Sequence, residues 1–213
     1  PGEKVVDSDG QDRDWYCIIA EITKDAVRLR AEAESEAAEL PAELVLYQGL
    51  PKGDKMEWII QKAVELGASR IVPVAMKRCV VKLDPKREKN KRARWQAVSE
   101  SAAKQSGRGR IPEVAPVSSL AEASQEAGQL DLVLLPYENA RGMEATAEAL
   151  AALRPGMRIG IFIGPEGGFE ETEVEALAQA GARPLSLRRL IVRTESAGLS
   201  AVSLCMTALE LAA

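Results

Sequence analysis

Histidine is absent from this chain of 213 residues. Its absence removes the commonest general base and the commonest metal ligand of proteins, so a Ser–His hydrolase and a zinc hydrolase are excluded. The three cysteines, Cys17, Cys79 and Cys205, are odd in number and widely spaced, and they match no zinc or disulfide pattern. We therefore expect no metal site, and we expect reduced thiols in a cytoplasmic protein.

Long apolar runs are also missing, because no stretch reaches the roughly 18 residues of a membrane-spanning helix. The first residues show no signal-peptide pattern. We predict no membrane partner. The chain begins at Pro1 rather than at Met, and we expect further residues before it. With 46% hydrophobic residues, the chain can bury a core in one or two domains.

Charge is distributed unevenly along the chain. The net charge is −4, yet residues 77–110 contain 12 Lys or Arg and only 3 Asp or Glu. One concentrated basic segment in an acidic protein is typical of a localised nucleic-acid-binding surface. A solvated helix face is the alternative interpretation of the same pattern.

The pattern of apolar residues changes near Leu44. Before it, residues 4–31 predict short strands, with Trp15–Ala20 and Ala26–Leu29 the clearest. The Ala- and Glu-rich stretch Glu32–Glu43 is predicted to be a linker or an exposed excursion. After Leu44, apolar strands alternate with helical periodicity, which predicts an α/β fold with a parallel sheet and helices on both faces.

The strands predicted in this second part are Leu44–Tyr47, Ile71–Val74, Leu130–Leu135, Arg158–Ile163 and Pro184–Leu187. The first helix is predicted to begin at Asp54, with Glu57 completing a capping box, and to end at Gly67. The later helices are predicted at Asn90–Ser106, Glu144–Leu153, Glu170–Ala180 and Ser196–Ala212.

The segment Gly164–Gly168 follows the apolar run Ile159–Ile163 and precedes a helix. A strand, a glycine-rich loop and a helix in this order bring backbone N–H groups close to a small ligand. The loop is neither a Walker loop nor a G-x-G-x-x-G motif, because no Gly-Lys-Ser/Thr follows and the glycine spacing differs. A tight turn is the alternative.

A second unusual segment, Arg193–Ala197, opens the last helix. A cation at a helix N-terminus meets the unfavourable end of the dipole, so Arg193 points to an anionic partner. An ordinary helix cap is the alternative. Several further polar residues follow strands or end the basic helix, where they suit RNA phosphates or bases. These predicted RNA contacts are Lys52, Lys55, Lys77, Arg78, Gln105, Arg108 and Arg110.

Taken in order, a series of segments that covers nearly all of residues 44–213 resembles the RsmE family of 16S ribosomal RNA (uracil-N3) methyltransferases. The matching segments are Pro51–Glu57, Gln61–Gly67, Arg78–Lys82, Trp95, Ala102–Arg108, Ile111–Pro112, Ile163–Phe169 and Arg193–Ala197.

The resemblance implies a SPOUT methyltransferase domain over residues 44–213, whose C-terminal part forms a trefoil knot. It implies a partial PUA-like β-barrel for RNA, followed by a linker, over residues 1–43. It further implies S-adenosylmethionine as the methyl donor, a homodimer, and ribosomal RNA or the small ribosomal subunit as partner. The implied target is a uridine of the decoding region.

Within this framework, three loops are predicted to hold the cofactor between backbone amides and apolar side chains. Arg193 is predicted to stabilise charge and Glu195 to act as base or orienter, with Glu166 a second candidate carboxylate. The predicted cofactor residues are Leu135, Pro136, Glu138, Ile163, Gly164, Pro165, Glu166, Gly167, Gly168, Leu187, Arg188, Leu190 and Ile191.

Three alternatives stay open. The chain departs from the family pattern at Arg188 and Leu190, where a Gly and an Arg are usual, and this favours an RNA-binding SPOUT protein with an impaired cofactor site. A SPOUT methyltransferase acting on another RNA position, such as a ribose 2′-OH, is the second. A nucleotide-binding α/β protein is the third, and the absent phosphate-loop Lys disfavours it.

Overall fold

A computed structural model describes residues 1–9, 13–35, 39 and 42–212. The strands are β1 (Lys4–Ser8), β2 (Asp14–Ile22), β3 (Val27–Ser35), β4 (Glu43–Gly49), β5 (Arg70–Ala75), β6 (Glu113–Val114), β7 (Ser118–Ser119), β8 (Leu132–Pro136), β9 (Arg158–Ile163) and β10 (Arg183–Leu185). The helices are α1 (Lys55–Glu65), α2 (Pro85–Gln105), α3 (Leu120–Ala127), α4 (Glu144–Ala151), α5 (Glu171–Gln179) and α6 (Thr194–Ala212).

The first three strands form a separate antiparallel sheet in the order β1-β2-β3. The strands predicted within residues 4–31 are confirmed. The predicted linker is wrong over residues 32–35, which continue β3, because Ala33, Glu34 and Ser35 pair with residues of β2. Residues 36–38 and 40–41 of that linker lie outside the described part of the chain.

The second sheet has the order β10-β8-β9-β4-β5-β6, with β7 also paired to β5. Every described pairing in it is parallel, as the alternation of strands and helices predicted. Its carboxyl edge therefore collects the loops that follow β4, β5, β8, β9 and β10.

Each central strand of this sheet is buried on both faces. In β4, Leu44 and Leu46 belong to one apolar core, and Val45 and Tyr47 belong to the other. The first core is completed by apolar residues of α1, α2, α4 and α6, and the second by those of α3 and α5. Helices thus cover both faces, which explains why the strands are apolar throughout rather than alternating.

Tyr47 fixes the second core. Its ring stacks on Phe162 with centroids 4.4 Å apart and an interplanar angle of 8°. Its hydroxyl donates to Glu126 Oε1 of α3 at 2.7 Å, and Arg70 donates to the same oxygen at 2.6 Å. Burial and the adjacent carboxylate raise the pKa of the Tyr47 hydroxyl, which keeps it a donor.

Helix ends account for most differences from the sequence prediction. Asp54 precedes α1 but makes no capping hydrogen bond, so the predicted capping box is wrong; Glu57 pairs instead with Arg94 of α2 at 2.8 Å. Helix α2 begins at Pro85 rather than Asn90, because the Asp84 side chain accepts from Arg87 N and proline suits the first helical position.

Helix α3 was not predicted, since its buried positions carry only alanine; a capping box between Ser119 and Glu122 starts it. Gly67 and Gly107 end α1 and α2 as predicted, with φ of +100° and +68°. None of the helices in the described ranges is long and apolar enough to cross a membrane.

Candidate active site at the carboxyl edge of the sheet

The loops after β8, β9 and β10 meet at one edge of the sheet. Gly168 has a φ of +68°, and a Cβ there would lie 2.6 Å from Glu138 Oε1. Tyr137 N donates to Leu185 O at 3.0 Å, which joins the loop after β8 to the end of β10. The three predicted cofactor segments, 135–138, 163–168 and 185–191, are therefore neighbours in space.

The glycine loop after β9 folds back on itself. A Cβ on Gly164 would lie 3.1 Å from the Gly168 carbonyl carbon, and one on Gly167 would lie 3.0 Å from Arg78 Cβ. Arg78 also donates to Gly167 O at 2.9 Å. Side chains at these two positions would force the contacted atoms to shift by a few tenths of an ångström, so the close approach favours glycine.

The start of α6 is bonded to this loop through a buried polar pair. Thr194 Oγ1 donates to Gly164 O at 2.6 Å, and Gln48 Nε2 donates to Thr194 Oγ1 at 2.9 Å. Gln48 is fully buried at the end of β4, and within the described residues its Oε1 has no hydrogen-bond partner. Gln48 was not among the residues predicted from the sequence, although a polar residue that interrupts a buried apolar strand is a signal of such a role.

Lys55 lies between two carboxylates. Its Nζ is 3.0 Å from Glu166 Oε1 and 3.5 Å from Glu195 Oε2, and Lys52 N also donates to Glu166 Oε1 at 3.0 Å. The start of α1 is thereby linked to the glycine loop and to α6. Lys55 was predicted to contact RNA, but the structure gives its ammonium group two partners within the protein.

These contacts give Glu166 and Glu195 different environments. Burial alone raises the pKa of Glu166, but the hydrogen bonds from Lys55 Nζ and Lys52 N outweigh it and lower the pKa of that carboxyl. The same Glu166 contact raises the pKa of Lys55. Glu166 is consequently held as a carboxylate whose Oε1 already accepts two hydrogen bonds, from Lys55 Nζ and from Lys52 N.

Glu195 differs from Glu166 in its hydrogen bonding. Its side chain is 18% exposed, and Oε2 is buried without a hydrogen bond from any described group. At 3.5 Å, Lys55 provides charge compensation rather than a good hydrogen bond. Glu195 thus keeps acceptor capacity for a proton, which suits its predicted role.

Arg193 is exposed immediately before α6. Its carbonyl accepts from Ser196 N at 2.9 Å and from Ala197 N at 2.8 Å, which fixes its backbone at the helix start. Within the described part of the chain, its guanidinium forms no ion pair, so the group is available to an anion.

The predicted cofactor residues differ in exposure. Four are buried: the strand residues Leu135 and Ile163 and the first two loop residues after β9, Gly164 and Pro165. By contrast, Leu190 and Ile191 are 74% and 92% exposed. The remaining members, Pro136, Glu138, Glu166, Gly167, Gly168, Leu187 and Arg188, are partly or fully exposed.

Arg188, at which the chain departs from the family pattern, is exposed. Its carbonyl accepts from Ser186 Oγ at 3.2 Å, and no hydrogen bond of its side chain to the described loops is present. The structure therefore does not bury this guanidinium among the predicted cofactor segments.

The same edge carries one carboxylate and two exposed apolar side chains. Glu138 lies against Gly168, and Leu190 and Ile191 follow β10. Among the described residues, no group of three or more Cys, Asp or Glu is arranged to hold a metal ion. A cavity of about 710 Å³ between α3 and α5 includes none of the predicted cofactor residues.

The predicted RNA contacts lie at two places. Lys52, Lys77 and Arg78 are exposed at the carboxyl edge, and Lys77 Nζ donates to Thr172 at 2.9 Å and to Glu170 at 3.4 Å. Gln105 and Arg110 are exposed near the end of α2.

Arg108 has a different environment from the one predicted. Its side chain is only 8% exposed and pairs with Glu39, and its guanidinium donates to the carbonyls of Val64 and Ala68 at 3.0 and 2.6 Å. The last carbonyls of a helix need such donors, so Arg108 stabilises the end of α1 and is removed from the RNA contacts that we propose below.

The parallel sheet with a glycine-lined carboxyl edge matches the class of RNA methyltransferases: residues 38–206 fit the family model described as an RNA methyltransferase domain. A ribosomal RNA small subunit methyltransferase E of Bacillus subtilis is 40% identical over 191 residues, which are 88% of this chain and 75% of the relative. Its counterpart in Mycobacterium bovis is 32% identical over 203 residues, 92% of this chain and 75% of the relative.

A crystal structure of ribosomal RNA small subunit methyltransferase E from Neisseria gonorrhoeae, bound to S-adenosylmethionine, is 30% identical with a TM-score of 0.83. The match covers 98% of this chain and 84% of that one. The chain belongs to the ribosomal RNA small subunit methyltransferase E family, which confirms the resemblance read from its sequence.

The packing of the glycine loop, Gly164–Gly168, against β4 can be tested at Gly49, the last residue of β4. A Cβ there would lie 2.7 Å from Pro165 N and 2.8 Å from Pro165 Cδ. Because these atoms belong to the loop backbone and a rigid ring, Gly49→Ala is expected to displace the loop. We expect a loss of about 1–3 kcal/mol in the free energy of unfolding and about tenfold weaker S-adenosylmethionine binding, measured by urea unfolding and calorimetry.

Gly198→Ala is the matched control. A Cβ on Gly198 in α6 would meet Gln48 Oε1 at 3.4 Å and Ile163 at 3.7 Å, which are ordinary contacts. Alanine in a helix interior gains up to about 1 kcal/mol over glycine, so this variant is expected to keep its stability and its cofactor affinity. If Gly49→Ala behaved like Gly198→Ala, the loop would not depend on its contact with β4.

Proposed function

We propose that this chain transfers a methyl group from S-adenosylmethionine to N3 of a uridine in the decoding region of small-subunit ribosomal RNA. Family membership makes it an S-adenosylmethionine-dependent ribosomal RNA methyltransferase. The observation that carries the proposal is the hydrogen bond of 2.6 Å from Thr194 to Gly164, because it places Arg193 and Glu195 beside the glycine loop. The choice of N3 rests on the sequence resemblance.

The three loops at the carboxyl edge are proposed to hold the cofactor, which when bound supplies an electrophilic methyl group. Backbone groups of Gly164–Gly168 would face the ligand without side chains between, and Leu190 and Ile191 would cover its apolar part. Glu138 would balance the positive charge. The same arrangement disfavours an impaired cofactor site, since Arg188 is exposed rather than folded into the loops.

Arg193, immediately before α6, and Glu195, in its first turn, are proposed to act on the uracil. The N3–H group is a weak acid, so its proton must leave as N3 becomes nucleophilic. Glu195 accepts that proton at its carboxylate, whose nearest described cation is Lys55 at 3.5 Å. Arg193 stabilises the negative charge that develops on the base. Glu166 serves as a structural link, because Lys55 and Lys52 already donate to it.

We further propose that residues 1–43 are part of a PUA-like barrel with a linker, and that residues 44–213 form a knotted SPOUT domain. The antiparallel sheet of β1, β2 and β3 supports the first assignment. The bond from the start of α6 to the loop after β9 is in keeping with the second, although the knot is inferred from the resemblance alone.

We also propose that the protein acts as a homodimer in the cytoplasm. Apolar side chains on two helices that pack together support the dimer: Trp58 on α1 is 44% exposed, and Leu204 and Leu211 on α6 are 37% and 85% exposed. Partly exposed apolar groups of this kind are typical of surfaces that a partner covers.

The RNA is proposed to lie over the exposed basic residues at the carboxyl edge and near the end of α2. These are Lys52, Lys77, Arg78 and Arg110, with Gln105 beside them. All except Lys52 belong to the basic segment of residues 77–110, and the charges of the lysines and arginines suit phosphate contacts. The partner is then ribosomal RNA or the small ribosomal subunit.

The test is identification of the product. The protein is incubated with S-adenosylmethionine and small ribosomal subunits from a strain that lacks this methyltransferase, and the RNA is digested to nucleosides for mass spectrometry. We expect 3-methyluridine and no 2′-O-methylated product. A methyl group on another atom would support the alternative SPOUT methyltransferase, and absence of cofactor binding in calorimetry would support the RNA-binding protein without activity.

A further inference from the structure

A second cavity, of about 380 Å³, lies at the same edge of the sheet beside the candidate active site. It is bounded by Leu50 after β4, by Met76 after β5 and by the segment that leads into α2. Its walls include Val81, Leu83 and Val117, so most of its interior is apolar. The volume falls within the range of small-molecule sites, about 300–1,000 Å³.

The segment 77–79 separates this cavity from the glycine loop. Arg78 faces the loop, because it donates to Gly167 O at 2.9 Å and its Cβ would be 3.0 Å from a Cβ on Gly167. Cys79, the next residue, lines the cavity instead. A group bound in the cavity would therefore lie beside the glycine loop and not within it.

The cavity has one cation that is available to an anionic ligand. Lys77 and Lys82 both line it; Lys77 Nζ already donates to Glu170 and Thr172, whereas Lys82 is exposed and has no ion-pair partner among the described residues. The one acidic residue of the lining, Glu88, is held by Val117 N, which donates to its Oε1 at 3.0 Å. The apolar walls suit the faces of a base, and the ammonium group of Lys82 suits a phosphate.

We propose that this cavity binds the base of a nucleotide adjacent in the RNA chain to the methylated one, with its phosphate at Lys82. The proposal rests on the proposed ribosomal RNA substrate and deepens it, since it gives the enzyme a contact that distinguishes single-stranded RNA from a paired helix. A base must leave the stack to enter the cavity, so unpaired segments are favoured.

Cys79 makes the site observable. Its thiol is half-buried in the cavity wall, whereas Cys17 and Cys205 are buried in the protein. The wild-type protein is alkylated with iodoacetamide, and modification of Cys79 is followed by mass spectrometry, with and without a ten-residue oligouridylate. At about ten times the dissociation constant, we expect about tenfold slower modification, because about nine sites in ten are occupied.

An abasic oligonucleotide of the same length separates base binding from phosphate binding. It carries the same phosphates but nothing to fill the cavity, so Cys79 is expected to stay reactive when it is bound. Equal protection by the abasic strand, absence of protection by saturating oligouridylate, or no oligouridylate binding at low salt would each overturn the proposal.

A pair of neighbouring substitutions gives an independent measurement. Val81→Phe fills the cavity, whereas Val80→Phe makes the same change at a side chain that is 68% exposed outside it. We expect Val81→Phe to abolish the preference for oligouridylate over the abasic strand and Val80→Phe to keep it. Equal behaviour of the two variants would contradict the proposal, and loss of 3-methyluridine with retained Cys79 protection would contradict only the proposed function.

Discussion

Glu195→Gln is expected to slow methyl transfer by about 10²- to 10³-fold at saturating substrates. The physical reason is that glutamine keeps the size and the contact to Lys55 but cannot take a proton from N3. Single-turnover rates with radiolabelled S-adenosylmethionine measure the effect. Cofactor affinity is expected to change by less than about twofold, because Glu195 is proposed to act on the base.

Glu166→Gln is the matched comparison for this variant, since both carboxylates contact Lys55. It removes the negative charge that Lys55 pairs with but keeps an acceptor oxygen for Lys55 and Lys52, so we expect a rate loss of less than about tenfold together with a small loss of stability. If both variants lost activity equally, Glu195 would act through Lys55 as a positioning residue and not as the base.

Arg193→Ala is expected to lower kcat by about 10²-fold, because it removes the one cation proposed to stabilise charge on the uracil. The guanidinium has no ion-pair partner among the described residues, and only its backbone carbonyl caps the first turn of α6. Truncation should therefore leave the fold intact. Steady-state kinetics and thermal unfolding, measured on the same preparation, check both statements.

Arg183→Ala is the control for the lost positive charge. Arg183 is exposed at the amino end of β10, away from the carboxyl edge, and its removal is expected to leave kcat unchanged. Turnover of Arg193→Ala equal to that of the wild type would end the assignment of Arg193 to the chemistry. A raised KM with unchanged kcat would place it in RNA binding instead.

The central sheet was predictable because each strand is buried on both faces and appears as an uninterrupted apolar run. The prediction for β9 matches the structure at both ends, and β4 differs by a few residues. Helix α3 was missed because small alanines at its buried positions give little periodic signal. Helix α2 begins earlier than predicted because Asp84 caps it and Pro85 occupies its first position. Both residues precede Asn90, where the helix was predicted to begin.

The loops of the candidate site could be located from the sequence, but the side chains that contact them could not. Parallel strands bring their carboxyl ends to one edge, so the meeting of the loops after β8, β9 and β10 follows from topology. The contacts of Lys55 with Glu166 and of Gln48 with Thr194 join residues 111 and 146 positions apart. The same holds for Arg108, whose partners lie 40 or more positions away. No pattern among neighbouring residues of the sequence indicates such distant pairs.

The anchoring of Thr194 by Gln48 and Gly164 also has a consequence for biosynthesis. The site needs the segment that begins α6, a helix of 19 residues at the end of the described chain, to dock against a strand made 146 positions earlier. Closing so long a loop is slow compared with forming local structure. During translation, the site is therefore complete only after the start of α6 has left the ribosome exit tunnel and docked against the end of β4.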